Sequence, residues 1–117
     1  MRMTEMNFPD ARPVEGYGPG FFRIGGDVIE GALLAGPDGF APWEGLGDLP
    51  PLLAMEGKVD VLFLGTGADM AHPPAALRAA LEEIGIGVEA MASPTACRTY
   101  NVTLSEGRRV ALAALPV

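Results

Sequence analysis

Hydrophobic and polar positions change their period along this chain, and the changes mark out its elements. Two short apolar-rich runs, Phe21 to Ile24 and Val28 to Leu34, are joined around Gly25–Gly26–Asp27. Glycines supply the positive φ of a tight hairpin turn, so this pattern predicts two antiparallel strands. Pro37–Asp38–Gly39 is a second turn leading into a short extended piece at Phe40–Trp43. Residues 44–58 mix Gly, Pro and Leu and predict a loop with one short helical turn near Leu52–Met55. Val59 to Leu64 is apolar throughout except at Asp60, as expected of a strand covered on both faces. The period then becomes helical. Leu77, Leu81 and Ile84 recur at i, i+4 and i+7 in a helix from Pro73 to Ile84, opened by two prolines and stopped by Gly85. Ile86 to Met91 predicts a strand, a second helix starts at Pro94, and Arg109 to Leu115 predicts a final strand.

The second half therefore reads β-α-β-α-β, an order that favours parallel pairing with helices on one face, and the N-terminal hairpin adds antiparallel strands. The expected fold is α/β, a single domain with β/β/α layers and a mixed sheet. Residues 17–117 form that domain and residues 1–16 a flexible arm, because the first dozen or so show neither period. Composition agrees. A chain of 117 residues, 49% hydrophobic, suits one core. Its 16 Gly and 11 Pro call for many turns.

The helix from Pro94 carries the densest polar chemistry. Ser93 suits the N-cap, Pro94 the first helical position and Gly107 the left-handed residue past the end. Cys97, Tyr100 and Leu104 form an apolar stripe at i, i+3 and i+7, and Asn101 falls at i+4 of it. With Arg98 and Thr99 these residues make a polar cluster. A buried amide must be satisfied, so Asn101 either bonds to a neighbouring loop backbone or meets a ligand or partner.

Charge and cysteine usage narrow the function. A formal charge of −7 argues against a broad basic face for nucleic acid or anionic lipid, although Arg108–Arg109 remain a local basic spot. The single Cys cannot form an internal disulfide, which suits an intracellular chain. It lies on an apolar stripe, the place of a small hydrophobe rather than a nucleophile activated by His72, the one His. No run approaches a membrane span or a secretory signal, so the expected location is cytoplasmic. Gly65–Thr66–Gly67 follows a strand and precedes a helix, which invites an anion site. Met70 stands where a dinucleotide fingerprint needs its third Gly, no Lys–Ser/Thr pair follows, and Asp69 adds negative charge. A tight strand exit needing positive φ explains these glycines better. One His and one Cys make no metal set; Asp69 with His72 is a weak pair. Asp60 reads as a strand-edge charge, and Arg78 and Glu82 as an i, i+4 pair on a solvated face. Trp43, Tyr17 and Phe40 either close one end of the core or form an exposed aromatic surface.

Three motifs in order, Leu64–Gly67 (LGTG), Ala96–Asn101 (ACRTYN) and Glu106–Leu115 (EGRRVALAAL), resemble the adipogenesis-associated Mth-like domain family. The resemblance runs from about Tyr17 to the end, and one departure is Ser93, where the family pattern has Thr. Both residues can cap a helix. Members of that family include small bacterial and archaeal proteins and a mitochondrial assembly factor for respiratory complex I. The resemblance implies packed sheet and helix layers and no catalytic residues.

Two functions follow. The first is a non-catalytic interaction protein that assists assembly of a respiratory or other membrane complex, with protein partners and no nucleic acid, cofactor, metal or membrane insertion. The second is a small-molecule binder or small enzyme with a pocket between the Gly65–Gly67 loop and the helix starting at Pro94, where open α/β sheets bind ligands. Either way the candidate binding residues are Gly65, Thr66, Gly67, Arg98, Thr99, Tyr100, Asn101 and Arg108, and none is catalytic.

Overall fold

In the computed structural model, which describes residues 11–117, eight strands and three helices follow one another. Strands β1 (Val14–Gly18), β2 (Phe21–Ile24) and β3 (Asp27–Glu30) form a small antiparallel sheet in that order. Strands β4 (Ala32–Gly36), β5 (Gly39–Trp43), β6 (Val61–Gly65), β7 (Gly87–Met91) and β8 (Val110–Ala114) form a larger sheet, ordered β5-β4-β8-β6-β7. Its β6–β7 and β6–β8 pairs are parallel; β4 pairs antiparallel with β5 and β8. Helices α1 (Pro50–Leu53), α2 (Ala75–Glu83) and α3 (Ser93–Ser105) complete the domain.

The turn at Gly25–Gly26, with φ of +59° and +82°, joins β2 to β3 as the sequence predicts. The following strand differs from expectation. Val28–Leu34 is not one strand, because Gly31 at φ +83° turns the chain out of the small sheet and into the large one. The N-terminal arm also differs at its inner end. Strand β1 begins at Val14, so Val14 and Gly16, expected in the arm, pair with β2 on either side of a bulge at Glu15, and residues 1–10 lie outside those described. Helix α2 is bounded more tightly, at Ala75–Glu83, than the expected Pro73–Ile84, and the short turn expected near Leu52–Met55 lies two residues earlier, as α1 at Pro50–Leu53.

Alternation along the strands sorts the core onto two faces. Leu62 and Leu64 of β6, with Ala111 and Ala113 of β8, pack under Leu52, Leu77 and Leu81 of α1 and α2. Phe63, Leu112 and Ala114 face the other way, against Cys97 and Tyr100 of α3 and Phe22 and Ile24 of the small sheet. Helices α2 and α3 therefore lie on opposite faces, not on one. Strand order is the reason. The step from β6 to β7 runs outward and the step from β7 to β8 runs back past β6, so two crossovers of the same hand must use opposite faces. Burying side chains such as Phe22 and Ile24 contributes roughly 1.5–3 kcal/mol each.

Candidate functional site

Helix α3 turns Ala96, Cys97 and Tyr100 inward. Beside them the Asn101 amide binds one residue of β1 twice. Its Oδ1 accepts the Val14 N–H at 2.8 Å, and its Nδ2 donates to the Val14 carbonyl at 2.9 Å. The Asn101 side-chain amide thus pairs with Val14 as a residue of a neighbouring strand would. The Tyr100 hydroxyl donates to the Arg12 carbonyl at 3.0 Å. Tyr100 and Asn101 consequently hold backbone, across 87 or 88 residues of chain. Burial pushes the Tyr100 hydroxyl up to about 12 and the Cys97 thiol up to about 11, so Cys97 is protonated at neutral pH and a poor nucleophile.

Ser93 works differently from its expected capping role. Ala92 is the N-cap, and the fully buried Ser93 hydroxyl accepts the Gly67 N–H at 2.9 Å and donates to the Leu115 carbonyl at 2.6 Å. Its own N–H donates to the Gly67 carbonyl at 2.8 Å. A Cβ on Gly65 would lie 2.6 Å from Ser93 Oγ and 2.9 Å from its Cα, so Gly65 serves close approach, and Gly67 serves a φ of +102°. The Thr66 hydroxyl accepts the Ala71 N–H at 2.9 Å and lies 2.8 Å from the Asp69 carbonyl. Leu115 donates its N–H to the Gly65 carbonyl, and the Val117 carbonyl accepts from Gly20. The space between the Gly65–Gly67 loop and α3 thus holds Ser93 and the segment 115–117. No sequence signal gave this role for Ser93; the small residues Gly65 and Ala114 at neighbouring strand ends are the traces of it.

Of the remaining candidates Arg98 and Arg108 are exposed, and Thr99 is half-buried beside Met91. Arg98 is exposed and donates to Thr95 Oγ1 at 3.4 Å, while the Thr99 hydroxyl donates to the Thr95 carbonyl at 2.9 Å. Arg108 is exposed beyond the far end of α3, about 20 Å along the helix from Ser93. Its neighbour Arg109 pairs with Asp60 at 3.0 Å and, mainly through that hydrogen bond, holds the exposed Asp60 carboxyl below its usual range. Arg78 and Glu82 approach to 3.6 Å, and Arg78 also donates to the Val88 carbonyl on edge strand β7. Of the aromatic residues, Trp43 is buried and Tyr17 is 43% exposed. The candidate residues accordingly fall in three places: the β6 exit, the middle of α3 and the end of α3. Thr95, Arg98, Val102 and Ser105 form an exposed outer stripe at i, i+3, i+7 and i+10, in which Val102 is 56% exposed. Sequence reasoning passed over Val102, although its spacing from Arg98 places it on that face. Among the described residues no three His, Cys, Asp or Glu are grouped to hold a metal, and no helix is long and apolar enough to cross a membrane.

Comparison with known proteins identifies the family. A family model described as a protein of unknown function (DUF498/DUF598) matches residues 14–115. The chain belongs to that family. An uncharacterized protein of Rhodobacter capsulatus is 50% identical over 117 residues, 100% of this chain and 94% of the relative. The NADH dehydrogenase (ubiquinone) 1 alpha subcomplex assembly factor 3 of Danio rerio is 32% identical over 86% of this chain, which spans 62% of that protein's length. Among solved structures, a Mth938-like domain from Bordetella pertussis superposes with a TM-score of 0.75 at 26% identity, covering 99% of this chain and 92% of that one. A Bartonella henselae structure called an outer membrane protein reaches 0.85 at 32% identity, over 95% and 99%. The Mth-like fold, with its hairpin sheet beside a mixed sheet, is therefore the fold of this DUF498/DUF598 member.

Proposed function

We propose that this protein is a non-catalytic interaction protein that assists assembly of a respiratory or other membrane complex, docking through the outer stripe of α3. One observation carries the reading. Val102, a large apolar side chain on the helix that bears the family motif, stands 56% exposed between Arg98 and Ser105. Apolar area beside polar side chains is the usual composition of a partner-binding patch. Arg98, held by one hydrogen bond at 3.4 Å, can turn to an acceptor on the partner. Tyr100 and Asn101 stiffen the helix from behind. The relationship to assembly factor 3 of Danio rerio and other animals supplies the class of partner. On this reading the protein works in the cytoplasm, touching the membrane complex peripherally. The test is affinity capture from gently solubilised host membranes, with a folded Val102→Asp variant as control. Membrane-complex subunits captured by the native protein and lost with the variant support the proposal; equal recovery by both overturns it.

A further inference from the structure

A second surface lies on the opposite face of the large sheet. Strand β5 is the last strand on its side, hydrogen-bonded as a strand to β4 alone among the described residues, with β3 of the small sheet packed near it and Gly25 against the Phe40 ring. Next to this open edge runs a groove of about 230 Å³, walled by Leu34 and Ala41 of the β4–β5 hairpin and by Pro51, Ala54 and Met55 of the α1 segment. An open edge offers main-chain donors and acceptors, and a groove beside it accepts a side chain. Together they are the two parts of recognition by strand addition. We infer that β5 and the groove capture an extended segment of a partner protein with an apolar side chain at its centre and basic residues at its ends. The charges select the flanks. Glu44 at one end of β5 and Glu56 after α1 are exposed and form no ion pair among the described residues, while Asp38 at the hairpin turn engages Lys58, the cation among the groove residues, at 2.6 Å, a pair that an incoming cation has to share. Pro42 has no N–H to offer, so pairing is limited to a short segment alongside Gly39–Ala41.

The inference rests on the reading of the chain as an interaction protein but not on the α3 stripe, and its test needs no native partner. The probe is a short synthetic peptide of alternating Val and Thr with a central Leu and an Arg at each end. It is titrated into the full chain and followed by amide chemical shifts and calorimetry. Three changes should each weaken binding about ten-fold: Glu in place of the flanking Arg, backbone N-methylation on the paired edge, and Ala54→Arg, which fills the groove from an exposed position. Shifts should gather on Gly39–Ala41 and Ala54–Met55. Absence of binding, equal affinity for the N-methylated peptide, or shifts gathered on Arg98 and Val102 would overturn the inference, the last without touching the proposed α3 docking face.

Discussion

Replacing Asn101 by Ala separates a brace from a binding residue. The change removes two hydrogen bonds, at 2.8 and 2.9 Å, and leaves the Val14 N–H and carbonyl without their side-chain partner. At about 1 kcal/mol for each bond the loss is about 2 kcal/mol. Ala is the better helix former by about 0.6 kcal/mol, which offsets part of it. A net destabilisation of about 1.4 kcal/mol remains. With a urea slope of roughly 1.5 kcal/mol/M for a domain of this size, the midpoint should fall by about 1 M at unchanged slope. Hydrogen exchange at the Val14 amide should accelerate by about ten-fold or more, while amides of β6 and β8 should change only by the global loss. Asn101→Asp sharpens the test. The carboxylate can accept the Val14 N–H but faces the Val14 carbonyl with negative charge, so folding should raise the new carboxyl above its unfolded value. A raised folded value means stability is fully present below the unfolded pKa and is lost as pH rises through the folded one. The Asp variant should thus approach native stability in acid, where the protonated carboxyl can again donate, and fall below it at neutral pH. A midpoint shift under about 0.3 M for Asn101→Ala, with Val14 exchange unchanged, would refute the brace.

Three further outcomes follow from the same geometry. Tyr100→Phe should cost about 1 kcal/mol through the lost bond to the Arg12 carbonyl. It should also blunt alkaline unfolding: the Tyr100 hydroxyl is raised from 10.0 to about 12, so the native protein loses stability between those values and the Phe variant loses less of it, by circular dichroism. Cys97, with its thiol at about 11, should resist alkylation at pH 8 in the folded protein and label quickly in urea, and quick native labelling would contradict its burial. Gly65→Ala places a Cβ 2.6 Å from Ser93 Oγ and 3.1 Å from Ala114 Cβ, and should destabilise by about 1–3 kcal/mol in thermal or urea unfolding; a neutral result would contradict the close packing of the β6 exit.

The parts of this fold set by local patterns were legible in the sequence. The glycine turn at Gly25–Gly26, the 3.6-residue stripe of α2 and the stop at Gly107 depend on neighbours in the chain, and the structure contains all three. What depended on distant residues was not legible. Gly31 divides one apolar run between two sheets, and nothing near it in sequence distinguishes that break from a bulge. Helices on one face follow from β-α-β-α-β alone; opposite faces follow only from knowing that β8 inserts between β4 and β6. At the candidate site, the odd place of Asn101 on an apolar stripe was visible, as was its need for a backbone partner. That the partner is Val14, 87 residues away, was not, because β1 carries no period of its own. Ser93 had the residue type and position of a cap, yet burial against Gly67 and Leu115 gave its hydroxyl other partners. The outer stripe itself follows from the helical spacing of Thr95, Arg98, Val102 and Ser105, but the 56% exposure of Val102 is a tertiary property.

The proposed docking face is tested most directly by placing a photo-crosslinking amino acid at position 102 in the native host, with position 28 as control. Val28 is similarly exposed, at 48%, but sits on β3, at the opposite edge of the small sheet from β1, the strand that Asn101 holds. Cross-links from position 102 to subunits of a respiratory or other membrane complex, and none of these from position 28, are the expected result. Equal yields from the two positions, or no cross-link from position 102, would contradict the claim that this protein docks its partner through α3.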